Sequence, residues 1–171
     1  CGAHNRVYAL RRLRAAVCRR SSRRNGAQEK MSEVIHEIYP VEKGAFETAG
    51  EASGTIKRIL RKLGVPSSVI RRVAVAAYEV ELNLVIHSLG GQMELTIEPE
   101  SVTLDVADRG PGIPDLDLAM QEGWSTASDE VRMLGFGAGM GLPNMKRNAD
   151  EFDIRSQVGV GTNIHMKFFS V

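Results

Sequence analysis

Three groups of residues have types and spacings that could do chemistry. Glu79, Asn83 and His87 recur at i, i+4 and i+8. At about 100° per residue in a helix, they fall within a strip about 80° wide. The segment that carries them, 69–88, is apolar almost all round: Val73, Ala77, Val80 and Leu84 cover one side, and Val75, Leu82, Val85 and Ile86 much of the other. Polar groups on a buried helix need partners, because each unpaired one costs about 1–3 kcal/mol. A strip facing solvent meets the same need, and the pattern alone leaves both readings open. Glu81 lies off the strip and has no aligned companion. It reads as an ordinary solvent or cap-region charge, and its loss is expected to leave any chemistry at Glu79 unchanged.

The second group is Asp108-Arg109-Gly110-Pro111-Gly112, which follows a strand-like run ending near Val106. A carboxylate at a strand end can accept a hydrogen bond from a flat donor edge such as an adenine amino group. Gly110 and Gly112 would let backbone approach such a ring with no Cβ in the way. A plain turn would use the same residues. The third group places Gly135, Gly137, Gly139 and Gly141 at alternate positions before Leu142-Pro143. Amides freed by glycine, added to a helix N-terminus, form a seat for phosphate. The spacing is neither the dinucleotide fingerprint nor the P-loop, which ends in Gly-Lys-Ser/Thr. A flexible loop is the alternative.

Elements must hold these groups in place. Alternation predicts a strand at 33–39, then a helix from about Lys43 to Leu63 closed by Gly64. Pro66-Ser67-Ser68 opens the helix of the polar strip, which Gly90-Gly91 stops. Strands are expected at 92–98 and 102–107, a long irregular stretch rich in Gly and Pro at 109–141, and a short helix from Pro143 to about Ala149. Two alternating strands, 152–157 and 162–169, end the chain. The order is α+β, with mostly antiparallel strands and helices on one face. His36 and His165 sit on strands and read as structural.

Charge separates the chain into two parts. Residues 1–30 hold nine of the 22 Lys+Arg and one acid, Glu29, so residues 31–171 carry 13 basic and 20 acidic side chains, a formal charge of −7. That balance argues against direct nucleic-acid binding, since counterion release needs a basic surface. Both cysteines, Cys1 and Cys18, fall in the first 30 residues, which removes disulfides, Cys-ligated zinc and thiol nucleophiles from the remainder. No run of 18 apolar residues is present to span a membrane. The Arg-rich segment 1–30 is expected to lie outside the fold, either disordered or as an extension upstream of a start at Met31. The domain proper is expected at 31–171.

The motifs gain specificity from their order: Glu79 with Asn83, Asp108-x-Gly-x-Gly, the glycine run, then Gly161-Thr162 opening the last strand. In that order they resemble the Bergerat-fold ATPase superfamily of gyrases, chaperones, histidine kinases and mismatch-repair ATPases. Within it, the chain is most similar to small bacterial anti-sigma-factor serine/threonine kinases of partner-switching systems, over essentially all of 31–171. The resemblance implies a two-layer α/β sandwich, a mixed and mostly antiparallel sheet under helices on one face. It implies ATP and Mg²⁺ as cofactors, with Glu79 as general base and Asn83 as the Mg²⁺ ligand. Asp108 would read the adenine amino group, helped by Thr162. Gly110 and Gly112 would shape that pocket, and Gly135, Gly137, Gly139 and Gly141 would wrap the phosphates. A cytoplasmic location, a sigma factor or antagonist protein as partner and a possible homodimer follow from the same resemblance. Two other functions fit the motifs: an ATP-gated binding module without significant turnover, and a stand-alone histidine-kinase-type ATPase domain. For the latter, His87 would be a poor phosphoacceptor, because it lies inside the ATP helix.

Overall fold

A computed structural model describes residues 34–170 of the 171-residue chain. The Arg-rich segment 1–30 lies outside the described residues. Five strands form one sheet: β1 (Ile35–Val41), β2 (Gly91–Ile97), β3 (Ser101–Asp108), β4 (Glu151–Gln157) and β5 (Gly161–Phe169). Their spatial order is β1-β2-β3-β5-β4. Every pairing among the described residues is antiparallel, so the mixed character expected of the sheet does not occur in them. The physical reason is connectivity: β1 and β2 are separated by two antiparallel helices, and β4 returns directly to β5 through a short hairpin.

Alternation sets which face is buried. Leu95 of β2 stands opposite Leu104 of β3, and Leu104 stands opposite Met166 of β5. All three are fully buried, with Met93, Val102 and Phe168 beside them. The other face shows polar pairs, including Asp105 Oδ1 to His165 Nδ1 at 2.7 Å and His36 to Glu94 at 3.5 Å. Both strand histidines therefore pair with carboxylates on the surface of the sheet.

Three helices cover the apolar face. α1 (Glu51–Lys62) turns Ser53, Ile56 and Leu60 inward. α2 (Ser67–His87) lies between α1 and α5 (Gly141–Asn148). A helix with neighbours on both flanks and a sheet beneath has little surface left for solvent, which explains why α2 is apolar on nearly every side. Arg72 of α2 fastens the far end by binding Asp150 Oδ1 at 2.8 Å, Asn148 O at 3.3 Å and Phe169 O at 3.2 Å.

Two expectations need correction here. The first helix begins at Glu51 rather than Lys43, after a single 3-10 turn at Phe46–Thr48. Gly44 (φ 70°) and Gly50 (φ 98°) hold left-handed conformations that a continuous helix cannot contain. Glu81 is the second correction: it is only 3% exposed. Its carboxylate accepts hydrogen bonds from Ala52 N (3.1 Å) and Ser53 N (2.9 Å), two free amides at the start of α1. Gly50, at the N-cap, has no side chain to satisfy them. A residue on α2 thus caps α1 from 28 or more positions away, which rotation about its own helix axis cannot reveal.

The stretch 109–141 is less irregular than expected. It contains α3 (Leu116–Ala119), capped by Asp115, and α4 (Asp129–Met133), capped by Ser128. Each capping side chain accepts from the amide three residues on, a pattern that favours helix starts.

Candidate functional site

A cavity of about 370 Å³ opens between α2, the ends of β3 and β5, and the segment 111–142. That volume suits a small molecule. Glu79, Asn83 and His87 all line it, so the strip on α2 faces neither bulk solvent nor the core. Opposite stands the first residue of α5. A methyl group placed on Gly141 would sit 3.2 Å from Asn83 Oδ1 and 3.5 Å from Glu79 Oε2. Two oxygen-bearing side chains one turn apart on α2 therefore converge on one glycine, which leaves room between them and the amides opening α5.

Glu79 is held by a residue that sequence reasoning missed. Asn144, one turn into α5, donates through Nδ2 to Glu79 Oε1 at 2.7 Å. A polar residue in a short helix gives no sign of its partner; the only available signal was its place three residues after Gly141. His87 continues the strip, with Nδ1 3.4 Å from Thr126 Oγ1. Burial pushes its ring below the ordinary imidazole value, which favours the neutral form.

Asp108 lines the other end of the cavity. Its Oδ1 accepts from Thr162 N at 3.1 Å, and Thr162 Oγ1 pairs with Ser156 Oγ at 2.8 Å. Burial pushes the Asp108 carboxyl above the usual carboxylate range, partly offset by the Thr162 amide. Thr162 itself is buried and lines the same wall. Sequence reasoning did not single out Gly161 as a spacing element. A Cβ there would meet the Asp108 carbonyl oxygen at 2.2 Å, so only glycine lets β5 approach the end of β3.

The remaining glycines divide by role. Gly135, Gly137, Gly139 and Gly141 all line the cavity, as does Gly112. Gly112 (φ 68°) adjoins the β4–β5 hairpin, where a Cβ would stand 2.3 Å from Gln157 O; it allows two protein segments to pack, whatever approaches from the cavity. Gly110 is buried behind the wall, beside Asp108 Oδ1 and Ser88, and is not part of the lining. In the glycine run, a Cβ on Gly139 (φ 74°) would lie 2.6 Å from Trp124 N and O. Gly123 N donates to Gly139 O at 2.9 Å, so the segment is folded back on itself over the cavity. Phe136 stacks on Phe46, ring centres 5.9 Å apart, and ties the run to the turn after β1.

The donor set bears on the implied metal. Among the described residues, no cluster of three His, Cys, Asp or Glu side chains is placed to hold an ion. Asn83 Oδ1 and Glu79 Oε2 are hard oxygens that line the cavity and meet at Gly141, where the lack of a side chain keeps them uncovered. Mg²⁺ keeps several waters and takes one or two protein oxygens plus phosphates, and this arrangement fits that habit. Asn83 would hold it.

The chain is similar to several proteins of known name. It is 30% identical over 112 residues to the "Serine/threonine-protein kinase RsbT" of Bacillus subtilis, covering 63% of this chain and 78% of that protein. It is 31% identical over 102 residues to the "Anti-sigma F factor" of Thermoanaerobacter sp., covering 57% and 68%. It is 36% identical over 95 residues to the "Anti-sigma F factor" of Pasteuria penetrans, covering 52% and 60%. Residues 45–168, from the turn before α1 almost to the end of β5, match the histidine kinase-like ATPase domain, and the chain belongs to that family.

Proposed function

We propose that the protein binds ATP and acts as an anti-sigma regulatory factor, a serine/threonine kinase working in the cytoplasm on an antagonist protein in a partner-switching system. One observation carries the reading: Glu79 and Asn83 converge, one helical turn apart, on Gly141 at the start of α5. A clamp that only held nucleotide would have no use for a carboxylate beside the metal ligand. Glu79 Oε2 is the proton acceptor for the attacking hydroxyl. Asn83 would hold Mg²⁺ by its amide oxygen, and the ion, when bound, would supply positive charge to the transferring phosphoryl group. Asp108 offers an acceptor at the opposite end, complementary to the amino group of adenine and opposed to the carbonyl of guanine. The glycine run presents amides along the intervening wall.

An ATP-gated binding module is a second reading with its own support. The outer side of α4 displays Met133 (81% exposed), and Leu134 beside it is 61% exposed. These are apolar groups on the very segment that closes over the cavity.

Kinetics separate the two. The purified protein is incubated with radiolabelled Mg·ATP and the proteins it retains from its native lysate, and phosphosites are mapped. Glu79→Ala should slow transfer by about 10²–10⁴-fold with ATP affinity nearly unchanged, whereas Asn83→Ala should weaken both. Tight Mg·ATP binding with no labelled protein would overturn the kinase reading in favour of the binding module.

A further inference from the structure

Glu79 is one end of a chain of four polar side chains that runs away from the cavity. Asn144 Nδ2 donates to Glu79 Oε1 at 2.7 Å. The other side of the same amide is engaged, since Arg147 Nη1 donates to Asn144 Oδ1 at 3.3 Å. Arg147 in turn pairs through Nη2 with Glu122, in the loop after α3. A side-chain amide can rotate by half a turn at little cost, exchanging its donor for its acceptor. Both neighbours demand the same choice: the Glu79 carboxylate only accepts and takes the NH₂, and Arg147, which only donates, takes the oxygen. The backbone beneath is equally fixed, with Asn144 N donating to Met140 O at 2.9 Å and Asn148 Nδ2 to Asn144 O at 2.8 Å.

The geometry has a chemical consequence. A carboxylate has two oxygens, and Asn144 occupies Oε1, leaving Oε2 as the one directed at the space by Gly141. We infer that Asn144 is the positioning residue of the catalytic base: it holds Glu79 by one oxygen so that the other receives the proton, and Arg147 with Glu122 anchors the far side of the Asn144 amide. The inference rests on the kinase reading above. Arg147 and Glu122 are each 59% exposed, and exposed pairs add little to stability. Their effect belongs in the rate.

The test uses the full chain with radiolabelled Mg·ATP and water as acceptor, so no protein substrate is needed. In that reaction the water oxygen bonds to the γ-phosphorus and the bond to the bridging oxygen breaks. Its electron pair leaves on ADP, and the water proton passes to Glu79. Asn144→Ala should lower kcat about ten- to hundredfold, the range for a hydrogen bond to a charged group, with the KM for ATP within about twofold. Asn144→Asp, of nearly the same shape but with a like charge, should lose at least as much. Arg147→Ala should lose less, and Arg147→Lys should recover most of that loss by restoring a donor.

Adding Asn144→Ala to Glu79→Ala should cost nothing further, because the two act as a unit. A second readout needs no nucleotide: one proton of the Asn144 side-chain amide should resonate downfield in the ¹⁵N-labelled protein, and Glu79→Ala should return it. Asn144→Ala at the unmodified rate, or losses that multiply in the double variant, would overturn the positioning role alone. Tight ATP binding with neither γ-phosphate release to water nor a labelled protein among those retained from the lysate would instead overturn the kinase reading, and the role of Asn144 with it.

Discussion

Helix α2 buries ten of its 21 residues, while α4, in the segment on the other side of the same cavity, buries none. The first wall is held by packing: Val73, Ala76, Ala77, Val80, Leu84 and Val85 are within 2% of full burial. The second is held by backbone hydrogen bonds, two short capped helices and three glycines of positive φ, Gly135, Gly137 and Gly139. Arg132 adds bonds to Ala127 O and Ser125 O. Few apolar contacts and many exposed backbone bonds mark a region of low local stability. Under the proposed function, the groups that need fixed geometry, Glu79, Asn83 and Asp108, stand on packed elements, and the glycine run that would wrap the phosphates stands on the other wall. The two walls of one cavity are thus built with unequal stiffness.

Breaking the packed side should unfold the molecule. Phe168→Ala empties a fully buried position under β5 and should cost about 3–5 kcal/mol, read as a large fall in the urea midpoint with an unchanged slope. Glu81→Ala is the next largest. It leaves the Ala52 and Ser53 amides without their acceptor and should cost about 1–3 kcal/mol. Hydrogen exchange should rise first at those two amides. A melting temperature equal to that of the unmodified protein would show that water replaces the carboxylate.

Changing the other side should separate binding from stability. Gly139→Ala demands a left-handed alanine, which costs about 1–2 kcal/mol, and drives its Cβ into Trp124 backbone. If the segment opens on its own, as its sparse packing predicts, the strain should appear as weaker ATP binding in titration calorimetry, with global unfolding nearly unchanged. An equal loss in both measurements would mean that the two walls unfold as one.

The smallest effect sharpens the packed side alone. The Arg72 hydrogen bond holds the Asp150 carboxyl below the usual range. Its stabilisation is therefore present above the ordinary aspartate value, about 3.9, and is lost as pH falls through the lowered value. The pair is about one-third exposed on each side, so with solvent screening it contributes at most about 1 kcal/mol. Asp150→Asn should differ from the unmodified protein at neutral pH and converge with it in strong acid, as read by denaturant melts at several pH values.

Packing periodicity made most of the body legible before any coordinates. Met93, Leu95 and Ile97 alternate as a half-buried strand must, and Gly64 and Gly90 end helices where expected. The strip of Glu79, Asn83 and His87 was visible because 3.6-residue spacing survives in sequence. What lay opposite was not. Glu81 was misread because rotation gives the direction of a side chain but not what meets it. The start of α1 was misplaced because its cap comes from another helix. Asn144 escaped for the same reason, its partner lying 65 positions away. Gly112 was foreseen in the pocket wall, where it lies, but its closeness to the Gln157 carbonyl was not.

The chain contains one tryptophan, and Trp124 lies in the cavity wall against the turn of Gly139. Light absorbed near the red edge of the aromatic band is therefore emitted from this wall alone, free of any second indole. Its emission follows the closing segment, while far-ultraviolet dichroism follows the helices and sheet. One unlabelled molecule thus carries a local optical channel at the cavity wall and a global one for its secondary structure.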